Sequence, residues 1–298
     1  MRIMANKTIV ISKIEELRKV LKTTERKSIG LVPTMGALHR GHLSLIEKSK
    51  SENDITVVSI FVNPTQFGPN EDFDKYPRTL EADTEICSNA NVDYIFAPSA
   101  SEMYDDTKNP TLICPPYSDV DKLCGKSRPG HFDGVATVVA KLFNIVKPHN
   151  AYFGKKDAQQ LFIIKKMVRD LNFDVNIISC PIVREADGLA LSSRNTYLSA
   201  QARLEAVKIS SALKKVQELF NSGINSYEAL YDTVLAYIDP EKIEYFEIVN
   251  SNSFEIYENI DIIKPSSIAL VAVKIDGVRL IDNMDLESVS RCEAHDPR

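Results

Sequence analysis

The sequence predicts an α/β protein: a Rossmann-like parallel sheet with helices on both faces, followed by a smaller C-terminal α+β domain. Three observations predict it. Short apolar runs rich in Val, Ile and Phe alternate with longer amphipathic stretches through the first two thirds of the chain. The pattern changes after Arg184, where two amphipathic stretches precede three strand-like runs. A chain of 298 residues, 44% hydrophobic and 26% charged, can fill one large core or two unequal ones.

The elements follow in order. Ile14–Thr23 carries Ile14, Leu17, Val20 and Leu21 at helical spacing. Ile29–Pro33 is apolar and too short for a helix, so it reads as a buried strand, and Leu43–Lys50 after it reads as a helix. Ile55–Val62, Val92–Pro98, Ala151–Phe153 and Asn176–Val183 are further strands. Asp157–Leu171 is a helix with Leu161, Ile164, Met167, Val168 and Leu171 on one face. Strand–helix–strand repetition implies a parallel sheet covered on both sides. The expected first domain spans residues 1–183 and the second 184–298. In the second, Ala200–Ser222 and Ser226–Ile238 are helices, and Ile243–Val249, Ser267–Ile275 and Val278–Ile281 are strands. Asp276-Gly277 between the last two is a hairpin turn. The polar stretch Glu287–Arg298 reads as a disordered tail.

Bulk properties exclude several function classes. A net charge of −5 argues against nucleic acid and anionic membrane surfaces as partners, since both want a basic face. The five cysteines form no Cys-x-x-Cys pair and are odd in number, which fits neither a zinc site nor a disulfide framework and points to a reducing compartment. No apolar run approaches the roughly 18 residues of a membrane span, and the N-terminus lacks the pattern of a signal peptide. The expected location is the cytoplasm.

Three segments fall where open α/β sheets bind ligands, at strand ends and helix starts, and a fourth, Arg184–Asn195, lies near the expected domain boundary. In Pro33–His42, Gly36 and Gly41 have P-loop spacing, but His42-Leu43 replaces the Lys-Ser/Thr that a P-loop needs. His39 and His42, three apart in a helix's first turn, can donate hydrogen bonds to a phosphate gaining charge, while the helix start offers unpaired N–H groups. The alternative is a strand–turn–helix corner with two capping histidines. In Asn63–Gly68, Asn63 and Gln66 are neutral amides able to read hydroxyl or carboxylate oxygens, or else polar residues of an exposed turn. In Phe153–Gln160, Lys155 and Lys156 stand at a helix start where an acidic residue is normally favoured, which makes sense if an anion binds. There Asp157 could orient a lysine or cap the helix, and Gln160 could face the same crevice. In Arg184–Asn195, Ser192-Ser193-Arg194 offers two hydroxyls and a guanidinium fork, either a polyphosphate clamp able to close over ATP or a polar linker. His131 could be a base or a metal ligand but has no partner at metal-ligand spacing, and Asp83 is a weak metal-ligand candidate.

Together these segments resemble the pantoate–β-alanine ligase (pantothenate synthetase) family. Pro33–His42, Val58–Phe67, Tyr76-Pro77-Arg78, Arg128–Val139, Phe153–Leu161 and Val183–Leu198 match its signatures in order and spacing. The histidine pair and Leu191–Arg194 also resemble the two signatures of a wider nucleotidyltransferase superfamily that includes class I aminoacyl-tRNA synthetases. The resemblance implies ATP-dependent condensation of (R)-pantoate with β-alanine through a pantoyl adenylate, by a homodimer, with Mg2+ carried in on ATP. It implies that Met35, Gly36, Ala37, Leu38, His39, Arg40, Gly41 and His42 hold ATP, with His42 as the family's proton donor. It implies that Gly154, Lys155, Lys156 and Asp157 bind ATP too, with Lys156 on the phosphates. Val183 would line the adenine pocket, and Leu191, Ser192, Ser193 and Arg194 would hold the polyphosphate. Gln66 and Gln160 would hold pantoate, with Gln66 also near β-alanine. Arg40 departs from the family, which usually carries an acidic residue there. Two other readings are a nucleotidyltransferase acting on a phosphate ester, against which the neutral Gln66 and Gln160 speak, and a non-catalytic nucleotide-binding regulator, against which the intact His39, His42, Lys156 and Arg194 speak.

Overall fold

The structure is a computed structural model that describes residues 8–24, 26–69, 71–257 and 266–286. The chain divides into two compact units, Met1–Val183 with Leu191–Ser193, and Arg184–Ala190 with Arg194–Arg298.

The first unit holds a six-stranded sheet of β1 (Ile9–Ile11), β2 (Ile29–Thr34), β3 (Ile55–Ile60), β4 (Tyr94–Phe96), β5 (Asn150–Gly154) and β6 (Asn176–Cys180). Its order is β1-β4-β3-β2-β5-β6, and every pair is parallel. The helices are α1 (Ile14–Lys22), α2 (Arg40–Glu52), α3 (Leu80–Asn89), the short α4 (Ala100–Met103), α5 (Tyr117–Val120) and α6 (Leu123–Ser127), then α7 (His131–Val146) and α8 (Ala158–Asp170).

Side-chain alternation explains why both faces are covered. Val32, Val58, Ile95 and Tyr152 share one apolar cluster with Leu45 and Ile46 of α2 and Cys87 of α3. Their neighbours Leu31, Val57, Phe96 and Ala151 are equally buried, so they point to the other side of the pleat. There α7 packs on β2, flanked by α1 and α8. The sheet grows outward from β2 in two directions, through β3 and β4 on one side and through β5 and β6 on the other. The gap between the carboxyl ends of β2 and β5 is therefore the topological switch point, where such sheets bind ligands.

The helix α7 has no counterpart in the sequence reading. Twelve of its sixteen residues are buried, on nearly every side, so no apolar stripe marks it. The segment Leu43–Lys50 belongs to a helix that begins earlier, at Arg40.

The second unit contains α9 (Ala200–Asn221), α10 (Tyr227–Leu235) and the antiparallel sheet β7 (Ile243–Asn250), β8 (Ser267–Ile275) and β9 (Val278–Leu286) in that order. Ile209, Leu213 and Val216 of α9 pack with Phe246, Ile248, Val271 and Val273 over one sheet face. Asp276 (φ +51°) and Gly277 (φ +77°) take the left-handed conformations of a type I′ turn. Strand β9 runs five residues past Ile281 because it pairs with β8 along its whole length. Within it, Asp282 is buried and accepts both arms of the Arg184 guanidinium at 2.6 and 2.9 Å. The segment Glu287–Arg298 lies outside the described residues. No helix among those described is long and apolar enough to cross a membrane.

Candidate active site

The loop after β2 is held from below by one carboxylate. Asp83, on α3 and 1% exposed, accepts the backbone N–H of Ala37 at 3.0 Å, that of Leu38 at 2.7 Å and the Thr79 hydroxyl at 3.2 Å. The Thr34 hydroxyl accepts the Gly36 N–H at 3.1 Å. Gly36 sits at φ +87°, and an added Cβ there would lie 3.0 Å from both Asp83 Oδ2 and Ile60 Cγ2. Ala37 at φ +50° is also left-handed, a strained state for alanine that this clamp maintains.

The two histidines form a reciprocal cap at the start of α2. The Gly41 N–H donates to Nδ1 of His39 at 3.1 Å, and the His39 N–H donates to Nδ1 of His42 at 3.3 Å. Their ring centroids lie 4.1 Å apart. An Nδ1 that accepts a backbone N–H carries no proton, so each neutral ring holds its proton on Nε2, the atom farthest from the cap. Capping and ligand donation are thus compatible: one nitrogen serves the helix and the other remains a donor. The backbone is different from expectation. The N–H groups of Gly36, Ala37, Leu38, His39 and Gly41 are all donated to protein acceptors, so this corner lacks the row of free amides of a phosphate-binding nest. Any anion here is met mainly by side chains. Arg40, the first residue of α2, is exposed.

The His42 ring loses proton affinity to desolvation, then to His39 and then to Lys156, and its pKa is pushed down to about 3. Lys156, whose charge reaches His42, has its ammonium 3.8 Å from a carboxylate oxygen of Asp157. Asp157 occupies the N-cap position of α8 but makes no side-chain cap there, contrary to one of its expected roles. Its negative charge raises the proton affinity of His42 and His131, the smallest of the influences on either ring. Lys155 donates its backbone N–H to the Cys180 carbonyl at 2.8 Å, anchoring the turn after Gly154.

Gln66 is brought to the same place. It ends a short turn, Pro64–Gln66, and is 8% exposed. Asn63 Nδ2 donates to the Gly134 carbonyl and to Gln66 Oε1, both at 3.1 Å, while Asn63 Oδ1 accepts the Tyr104 hydroxyl at 2.8 Å. These partners leave Gln66 Nε2 as the outward donor, 3.2 Å from Met35 Sδ. A thioether is a weak acceptor, so a substrate oxygen could replace it at little cost. The sequence reading singled out Gln160 and gave its neighbour Gln159 no role. Buried Gln159 bonds to Gly125, Asp119 and Lys122 in the α5–α6 region and is structural, and half-buried Gln160 is its neighbour on α8.

Leu191 donates its N–H to the Val183 carbonyl at 3.0 Å, and its Cβ lies 3.7 Å from where a Cβ on Gly41 would stand. Leu191, Ser192 and Ser193 thus belong with the first unit, whereas Arg194 belongs to the second. Two expectations need correction. Asp83 spends its oxygens on two backbone amides and a hydroxyl, which makes it a loop clamp. His131 is hydrogen-bonded by both ring nitrogens to protein groups, and burial and Arg128 push its pKa down to about 4. Among the described residues no group of three or more His, Cys, Asp or Glu could hold a metal ion.

The two depressed histidines set a pH dependence of stability. The unfolded chain takes up protons at both near pH 6.5, whereas the folded chain refuses them down to about pH 4 and 3. Stability is therefore complete above about 6.5 and falls as pH is lowered. Thermal melts at pH 7 and 5, above the range where most carboxylates titrate, should show a lower Tm at pH 5. A His42→Gln/His131→Asn double variant should show a smaller difference, and an equal drop in both proteins would refute the assignment.

Comparison with known proteins gives one answer. The family model for pantoate-β-alanine ligase matches residues 9–285. A pantothenate synthetase of Acetivibrio thermocellus is 52% identical over 283 residues, covering 93% of this chain and 99% of the relative. A pantothenate synthetase crystal structure from Thermus thermophilus superposes with a TM-score of 0.87 at 42% identity, covering 94% of this chain and 99% of that one. A pantoate-β-alanine ligase of Francisella tularensis, complexed with β,γ-ATP and β-alanine, superposes with a TM-score of 0.77 at 38% identity, covering 94% and 98%. With histidine cap, lysine and buried amide gathered at the switch point of a doubly wound sheet, the chain belongs to the pantoate–β-alanine ligase family, enzymes that form an amide bond with ATP.

Proposed function

We propose that the chain condenses (R)-pantoate with β-alanine in two steps. The pantoate carboxylate attacks the α-phosphorus of ATP and displaces pyrophosphate. The β-alanine amine then attacks the acyl carbon of the pantoyl adenylate and releases AMP. The observation that carries this reading is the meeting of two kinds of donor at one sheet edge. Gln66 Nε2, suited to an acid or hydroxyl oxygen, lies 3.2 Å from Met35 in the loop that leads to His39 and His42. A carboxylate is already ionised at neutral pH, so the first step needs stabilisation of charge at phosphorus more than a base.

In this reading Met35–His42 and Gly154–Asp157 hold ATP. His39 and His42 donate from Nε2 to the phosphates, and Lys156 adds positive charge. Gln66 and Gln160 hold pantoate. Val183 lines the adenine, Leu191–Ser193 hold the polyphosphate, and Arg194 joins them on the strength of the family resemblance. Mg2+ enters on the ATP phosphates, in keeping with Asp83 being engaged elsewhere. The resemblance also supports a cytoplasmic homodimer. Measuring AMP and pyrophosphate with pantoate omitted and restored tests the scheme: both products should depend on pantoate. Pyrophosphate release without pantoate, or no AMP with all three substrates, would refute it.

A further inference from the structure

His131 is not among the residues assigned to substrate, yet it is built into the turn that carries Gln66. Its Nδ1 lies 2.8 Å from the Gln66 carbonyl oxygen. A carbonyl only accepts, so Nδ1 holds the proton, the opposite tautomer to His39 and His42. Its Nε2 lies 2.9 Å from Nη1 of Arg128, a group that only donates, so Nε2 accepts. Arg128 is in turn held by Glu71 through two bonds of 2.7 and 2.6 Å.

The order Glu71–Arg128–His131–Gln66 closes on itself. Gln66 and Glu71 lie on the segment that follows β3, and Arg128 and His131 stand at the entry to α7. The segment is therefore tied to α7 at both ends. A third tie is backbone packing: a Cβ on Gly134 would lie 2.3 Å from the Thr65 carbonyl oxygen, so only glycine lets helix and turn approach this closely. Asn63 sets the orientation of the Gln66 side chain, while His131 sets its main chain.

We propose that His131, fixed as the Nδ1–H tautomer by Arg128, is a positioning residue that holds Gln66 for pantoate. The proposal rests on the reading that Gln66 binds pantoate. The groups facing His131 are Arg128, Glu71, Asp157 and the Gln66 carbonyl. An imidazolium would set an N–H against the Arg128 fork, so the relay works only with a neutral ring.

Steady-state kinetics with purified full-length protein test it. His131→Leu should raise KM for pantoate about tenfold, the value of one lost hydrogen bond, and leave KM for ATP within about twofold. His131→Asn places an amide near the Nδ1 position and should restore KM for pantoate to within about threefold of the parent. If His131→Leu does not fold, His131→Gln serves, because its longer amide turns to Arg128 and leaves the Gln66 carbonyl without a donor; it should show the same pantoate defect. Gln66→Ala separates the two readings. If it leaves KM for pantoate unchanged, the pantoate assignment and the proposal fall together. If it raises that KM while the His131 variants do not, or if they raise KM for pantoate and ATP equally, only the positioning role is overturned.

Discussion

Replacing His42 with asparagine is expected to leave the β2–α2 corner folded and to lower the rate of pantoate-dependent AMP formation by about 10²–10³-fold, the usual effect of removing one donor from a charge-stabilising site. The substitution separates the two nitrogens of the ring. Nδ1 accepts the His39 N–H in the cap, and an asparagine carbonyl oxygen lies near that position and can take over the bond. Nε2–H has no counterpart in asparagine. His42→Gln does the reverse, reaching toward Nε2 with an amide N–H while losing the cap, and it should recover part of the rate at a lower melting temperature.

The same pair of variants distinguishes two roles for this histidine. The family resemblance implies a proton donor, a role that an imidazolium performs well and a neutral ring poorly. Desolvation, His39 and Lys156 hold the pKa at about 3 in the free protein, so the ring is neutral at any physiological pH. A neutral donor predicts kcat flat from pH 6 to 9 with respect to this group. A fall in kcat through an inflection near 7 that disappears in His42→Gln would instead identify the imidazolium as an acid.

Much of this arrangement is legible in the sequence because strand ends and helix starts are local features. Ile29–Pro33 and Ile55–Val62 announce themselves as short β-branched runs, and the stripes in Ile14–Thr23 and Asp157–Leu171 announce helices half in water. The motifs after neighbouring strands must meet, and β2 pairs with both β3 and β5, the strands that precede the Gln66 and Lys156 segments. Other features are silent for physical reasons. The helix α7 is buried on nearly all sides and has no polar face to set its period. The strand β1 is three residues long with two of them exposed. His131 and Gln66 are 65 residues apart, and Asp83 and Ala37 are 46 apart, so no spacing rule links them. A clue to Asp83 was present: it falls in a short helix whose other buried residue is the apolar Cys87, and a carboxylate on a buried face needs partners. The expectation of free amides at the start of α2 failed because His39 and His42, singled out for ligands, also cap the backbone.

That clue leads to the second large effect. Asp83→Ala is expected to destabilise the protein by about 2–6 kcal/mol, because it strands the amides of Ala37 and Leu38, each costing about 1–3 kcal/mol when buried without an acceptor. In a unit of this size the midpoint should fall by roughly 5–15 °C. Ala37 would also lose what holds it at positive φ, and the turn would relax toward a conformation that no longer delivers Met35 and the histidine pair. KM for ATP should rise with the loss of stability, since one carboxylate supports both. Asp83→Asn should fall between the two proteins, because one amide oxygen can still accept while the NH2 group meets a backbone N–H. Magnesium distinguishes this account from metal ligation. A clamp predicts that Asp83→Asn lowers Tm in the absence of any nucleotide or metal and leaves the Mg2+ dependence of the rate at saturating ATP within about twofold. A metal ligand predicts an unchanged Tm without metal and a tenfold or greater increase in the Mg2+ needed for half-maximal rate. The two hydrogen bonds of 3.0 and 2.7 Å to main-chain amides favour the clamp, because a carboxylate engaged by two amides and a hydroxyl has little lone-pair capacity left for a cation.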